Sequence, residues 1–161
     1  MPYTILLFVT RSPDLSPEEF KDHYENVHIP LAQRLCAGNW PFRITRQYIA
    51  RVTRKGFGGP ANPDRPALLL RGDAQDIDYD CVSHMEFENE HAFHAFYKRV
   101  YEKDVAAKLA ADEMQFLELG KTRVVVVGET ISTEHGVTRT VKSCIRANDT
   151  SDSEGSLSEQ S

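Results

Sequence analysis

The sequence predicts an α+β fold in which two β-α-β halves build one four-stranded antiparallel sheet. Two apolar runs rich in branched residues, Tyr3–Thr10 and Thr122–Glu129, bracket the first 130 residues. Each half places a helical pattern after its first strand. The halves are separated by a Gly/Pro-rich stretch unfit for regular structure.

The run from Tyr3 to Thr10 is apolar on both faces, as expected of a strand covered from both sides. Ser16-Pro17-Glu18-Glu19 then starts a helix: Ser16 caps, Pro17 suits the first position, and Glu19 completes a capping box. Phe20, Tyr24, Val27 and Leu31 follow at helical spacing. Pro30 lacks an N–H and crowds the carbonyl of Asn26, which predicts a kink or break at His28-Ile29. Phe42 to Val52 reads as a long strand with Phe42, Ile44, Arg46 and Tyr48 on one face. The segment 55–78 is expected to be a lid or binding loop, with Ala67 to Leu70 as a short strand or plug.

Asp80 to Phe87 is the third strand. Asn89 caps a helix carrying Phe93, Phe96 and Val100 inward, and Glu102 to about Leu117 is a second helix with Val105 and Leu109 on its apolar face. Thr122 to Glu129 reads as the last strand, again doubly buried. Residues 131–161 turn to Ser, Thr, Asp and Glu and are expected to form a disordered acidic tail. The domain thus spans 1–130. The order fits the ferredoxin-like βαββαβ fold, whose bare sheet face needs a second sheet, and a twofold homodimer supplies one.

The chain has 161 residues, 40% hydrophobic and 27% charged, enough for one domain with its own core. A net charge of −5 argues against nucleic-acid binding, which needs a basic patch. No stretch approaches the ~20 apolar residues of a membrane span. Cys36, Cys81 and Cys144 are scattered, with no zinc-like spacing, which suits a reducing, cytoplasmic setting.

The stretch Leu15-Ser16-Pro17-Glu18-Glu19-Phe20-Lys21-Asp22-His23-Tyr24-Glu25-Asn26-Val27-His28-Ile29-Pro30-Leu31 resembles the opening of EthD-domain proteins. The likeness continues through Arg46-Gln47-Tyr48-Ile49-Ala50-Arg51, Asp78-Tyr79-Asp80-Cys81-Val82, Phe87-Glu88-Asn89-Glu90 with Phe93, and the final valine strand. It implies a dimeric α/β barrel. Within that family the chain looks most like fungal members encoded beside aromatic polyketide synthases. That resemblance implies a cofactor-free decarboxylase of an anthraquinone precursor such as atrochrysone carboxylic acid.

His28 is the first candidate for chemistry. An imidazole titrates near neutral pH, and a proline-broken helix frees carbonyls to orient it; the same histidine can equally cap that broken helix. On the third strand, alternation puts Cys81, Ser83, Met85 and Phe87 under the helices and Asp80, Val82, His84 and Glu86 on the other face. If that face lines the barrel, a histidine and two carboxylates share one wall; otherwise it is an ordinary solvated face. Arg46 and Tyr48 are candidates for gripping an anionic or phenolic substrate.

The expected catalytic set is therefore His28, His84 and Asp80, with Arg46, Tyr48 and Glu86 binding substrate and the loop at 56–66 closing over it. No metal or cofactor is expected. His28 would be the general acid. His23 is expected on the outer helix face, and His91 and His94 on a solvated one. Anthrone oxygenation, polyketide dehydration or cyclisation, and a non-catalytic carrier are the alternatives.

Overall fold

The structure, a computed structural model, describes residues 1–142. Its sheet runs in the order β2-β3-β1-β4, formed by β1 (Tyr3–Val9), β2 (Arg43–Tyr48), β3 (Cys81–Phe87) and β4 (Arg123–Val127). All three pairings are antiparallel. Helices α1 (Pro17–His23) and α2 (Ile29–Leu35) connect β1 to β2. Helices α3 (Glu90–Val100) and α4 (Lys103–Phe116) connect β3 to β4. This is the ferredoxin-like arrangement the sequence predicts.

The helix starts form as their residues dictate. The Ser16 side chain accepts the Glu19 amide at 3.1 Å, and the Glu19 carboxylate accepts the Ser16 amide at 2.7 Å. Asn89 caps α3 by accepting from the Ala92 amide at 2.9 Å. Replacing Ser16 by alanine is expected to cost about 1 kcal/mol, read as a lower denaturant midpoint at unchanged slope.

At His28-Ile29, where Pro30 is expected to kink or break the helix, the α-helix is interrupted by a π-helical turn, Tyr24–His28, in which the Ile29 amide bonds back to the Tyr24 carbonyl. The inserted residue changes the phase of everything after it. Val27, expected inward, is 45% exposed, while Tyr24 stays buried.

One sheet face carries the helices. On β3 it shows Cys81, Ser83, Met85 and Phe87, all buried, as alternation predicts. One core cluster gathers Tyr3, Ile5, Met85, Phe87, Phe96 and Val105. The other joins Val9, Phe20, Tyr24, Cys81, Phe116 and Leu117. Among the described residues no layer covers the opposite face of the sheet, where Leu6 and Phe8 of β1 are half-buried. β4 departs further from expectation: Val124, Val125 and Val126 are 54%, 47% and 44% exposed because β4 is an edge strand.

The expected tail also begins differently. β5 (Glu129–Glu134) and β6 (Val137–Lys142) form a hairpin. Its two-residue turn, His135-Gly136, has positive φ at both positions (48° and 79°), the mirror-image turn that matches strand twist. Both hairpin strands are exposed along their whole length. The remainder of the expected tail, 143–161, with Cys144, lies outside the described residues.

Between β2 and β3 the chain is mostly irregular, as expected, with one 3₁₀ turn at Ala74–Asp76. Ala67 forms a single bridge to Arg51 rather than starting a strand. Cys36 and Cys81 are buried free thiols.

Candidate functional site

The π-turn is held from three directions. Tyr24 Oη lies 2.9 Å from Ser83 Oγ on β3. Glu25 accepts from Arg46 Nε at 2.7 Å, from a terminal Arg46 nitrogen at 2.8 Å and from the Tyr48 hydroxyl at 2.6 Å, all on β2. His28 Nδ1 lies 2.8 Å from Asp112 Oδ2 on α4. The other Asp112 oxygen takes His23 Nε2 at 2.8 Å.

Helix geometry explains why two histidines meet one carboxylate. In an α-helix, residues five apart point roughly 140° from one another. The π-turn fits one more residue into the turn, which swings His23 and His28 toward the same side. The expectation that His23 faces outward is corrected for that reason. Phe116 seals the pair: its ring stacks on His23 at 4.6 Å and lies 5.0 Å from His28.

A carboxylate only accepts hydrogen bonds, so the Asp112 contact fixes the tautomer of a neutral His28 ring. His28 carries its proton on Nδ1 and leaves Nε2 as a lone-pair acceptor. Burial lowers the His28 pKa below its ordinary 6.5, partly opposed by the Asp112 contact and reinforced by nearby His23. The neutral ring is therefore the resting form at neutral pH. A carboxylate–imidazole pair of this kind presents a base whose orientation is set by its partner.

The surroundings reinforce this polarity. Burial pushes the Tyr24 hydroxyl up to about 12, so it stays protonated. Burial raises Tyr48 as well, assisted by its bond to Glu25. The Arg46 guanidinium holds the Glu25 carboxyl below the usual carboxylate range. Burial, then the Asp112 charge, raises Glu113 next door.

The expected site residues divide into three places. His28, Arg46 and Tyr48 lie together on the helix side of the sheet, bridged by Tyr24, whose ring is 5.7 Å from His28 and 6.4 Å from Tyr48. His84 and Glu86 lie on the bare face, where His84 pairs in register with Leu6 and Thr45 and Glu86 meets Arg43 at 3.2 Å. The sheet itself separates them from His28, so the expected common wall does not form. Asp80, at the mouth of β3, accepts the Arg11 amide at 2.8 Å and the Arg11 and Arg51 side chains. Its carboxylate ties the ends of three chain segments and is committed to that clamp. His91 and His94 are solvent-exposed, as expected.

Asp112, Glu25, Tyr24 and Ser83 were not among the expected site residues, yet two carry readable signals. Val105, Leu109, Asp112 and Phe116 continue one helical stripe, so a carboxylate stands at a core-facing position. Ser83 likewise stands between Cys81 and Met85 on the inward parity of β3. A polar residue in an apolar stripe needs a partner.

Among the described residues no group of three His, Cys, Asp or Glu side chains is arranged to hold a metal ion, and no helix is long and apolar enough to cross a membrane. Comparison with protein families places the EthD domain on residues 12–120. The chain belongs to the EthD family. Among solved structures, this EthD protein is similar to an ethyl tert-butyl ether D family protein from Bacillus halodurans C-125, with 16% identity, TM-score 0.44, and 78% of this chain and 96% of that one covered. It is also similar to an EthD-like protein from Ralstonia eutropha JMP134, with 9% identity, TM-score 0.43, and coverage of 92% and 96%. A dimeric ferredoxin-like protein of unknown function from Thermobifida fusca YX shares 13% identity at TM-score 0.42, with coverage of 79% and 90%. No curated protein matches the chain.

Proposed function

We propose that this EthD protein is a cofactor-independent enzyme that moves a proton at His28, and that its reaction is decarboxylation of an aromatic polyketide carboxylic acid. The observation that carries the reading is the Asp112–His28 pair: a largely covered imidazole whose Nδ1 lies 2.8 Å from a carboxylate, which leaves Nε2 as the acceptor of the neutral ring. The role differs from the general acid expected at first, because the ring meets its substrate as a base and becomes an acid only after taking a proton.

In a polyketide β-keto acid the neighbouring carbonyl is the electron sink. As it binds, the acid passes its proton to Nε2 and is left as a carboxylate, and the bond between carboxyl and ring carbon then breaks. Its electron pair moves into the carbonyl to give an enolate as CO2 leaves. The imidazolium then returns the same proton to that carbon. Atoms and electrons balance without a cofactor, and a well-placed acid–base group contributes about 10²–10⁴-fold. Incubating the full chain with an aromatic β-keto carboxylic acid and following product mass tests the reading. Loss of CO2 is the expected result; loss of water or gain of oxygen replaces decarboxylation with dehydration or oxygenation, and binding without turnover points to a carrier.

Asp112 is a positioning residue in this reading. Asp112→Asn is expected to lower turnover by roughly 10²-fold or more, since an amide can favour the wrong tautomer. It also has a pH signature. Asp112 raises the His28 pKa against burial, so removing its charge lowers that pKa further. The acid limb of the kcat/KM profile is expected below pH 6.5 in the native protein and lower still in the variant. An unmoved limb would disconnect Asp112 from the base.

The protein acts as a homodimer in the same reading. The bare sheet face carries Leu6, Phe8 and Val82, all half-buried, and Val125 at 47% exposure, an apolar surface that a second copy covers across a twofold axis. Val125→Glu is expected to yield monomers in sedimentation; an unchanged mass would move the interface elsewhere.

A further inference from the structure

Of the three contacts that hold the π-turn, the one made by Glu25 stands apart. Three donors on one face of β2 converge on a single carboxylate: two from the Arg46 fork at 2.7 and 2.8 Å, and the Tyr48 hydroxyl at 2.6 Å. Unlike the Tyr24–Ser83 contact, which is buried, this pair stays open to water, with side-chain exposures of 21% for Arg46 and 29% for Glu25. Lys21 adds a second cation 5.3 Å over the Tyr48 ring. β2 is also an edge strand, so the face is reached from the rim of the sheet. The donor set is already shaped for two carboxylate oxygens and already holds them.

We propose that Glu25 is an internal stand-in for the carboxylate of the substrate, and that an aromatic carboxylic acid takes the Arg46–Tyr48 fork by displacing it. The inference rests on the reading that the substrate is a carboxylic acid, and it names how that acid is held. The Tyr24 ring, 5.7 Å from His28 and 6.4 Å from Tyr48, is the group between fork and base.

The competition has a chemical rationale. An unopposed arginine fork raises the barrier to losing CO2, because the negative charge leaves the carboxyl oxygens in the transition state and the fork therefore holds the ground state more tightly. A resident carboxylate offsets that grip. As CO2 leaves, Glu25 reclaims the donors, so the fork is never left empty.

Titration calorimetry on the full chain with 2-naphthoate as the probe tests this, with 2-naphthol as the uncharged control. Glu25→Gln keeps the shape and removes the competing charge. It is expected to bind 2-naphthoate roughly tenfold tighter than the native chain, about the size of one charge-assisted hydrogen bond. Affinity for 2-naphthol should stay the same, and adding Arg46→Gln should erase the gain. Glu25→Ala repeats the comparison if the glutamine variant melts early.

Binding of 2-naphthoate that is no tighter without Glu25 overturns the proposal. So does an equal gain for 2-naphthol, which would mean that a cavity had merely opened, or no binding by any variant. A preserved tenfold difference in a protein that releases no CO2 leaves the anion fork standing and removes only the decarboxylase reading.

Discussion

Replacing His28 by alanine is expected to lower turnover by about 10²–10⁴-fold while the protein remains folded. The size follows from the position of the ring. Its side chain is 13% exposed, its Nδ1 is taken by Asp112, and its Nε2 is left as the acceptor. Removing the ring leaves Asp112 with His23, still at 2.8 Å, so the buried carboxylate keeps a partner and the fold is spared the cost of an orphaned charge. Circular dichroism before and after substitution separates folding from chemistry. Partial return of activity on adding free imidazole would identify the missing base directly. Native-like turnover in the variant would remove His28 from the reaction.

Phe116→Ala carries the largest expected effect on stability, about 3–5 kcal/mol. Phe116 is fully buried, touches Phe20 and Tyr24 at ring distances of 5.9 and 5.6 Å, and closes over both histidines. The backbone on either side of it is also occupied: the Ser12 amide bonds to its carbonyl at 2.8 Å, so collapse of the cavity would pull on the segment leading into α1. A denaturant melt measures the loss. If stability falls by less than 1 kcal/mol, the second core cluster is not organised around this ring. Activity in the folded fraction should fall too, because His28 loses the wall that keeps it dry and unprotonated.

The pH dependence of stability has a fixed sign for this ring. The folded pKa of His28 is lowered by burial, so the contribution of the neutral ring is fully present above the unfolded value of 6.5 and is lost as pH falls through the folded value. Glu113 runs the other way. Its pKa is raised by burial and by Asp112, so its contribution is present below the ordinary carboxylate value of 4.5 and is lost as pH rises through the folded value.

Local chemistry made much of the molecule readable. Ser16, Pro17 and Glu19 specify a helix start through groups within four residues of one another, and the capping box forms with both its hydrogen bonds. Alternation on β3 sorts Cys81, Ser83, Met85 and Phe87 from Val82, His84 and Glu86. Arg46 and Tyr48 share a face for the same reason. What failed were statements about what lies beyond the element. A valine run reads the same whether its sheet position is central or at the edge, so the exposure of Val124 to Val126 was not visible. The polar residues around His135-Gly136 predict disorder, yet that pair adopts the positive φ of a mirror-image turn and brings β5 and β6 together.

The sequence by itself determined the order of the four sheet strands and the helices between them, the two faces of β2 and β3, and the presence of a histidine at a disturbed helix. These are properties of residues close in the chain, governed by caps, periodicity and the missing N–H of Pro30. Only the tertiary structure decided which carboxylate His28 meets. Asp112 lies 84 positions away, and the contact depends on a one-residue insertion in helical phase and on how α4 packs across it. The same structure assigned Glu25 to Arg46 and Asp80 to two arginines, because a charge leaving water takes whichever partner the packing brings within reach.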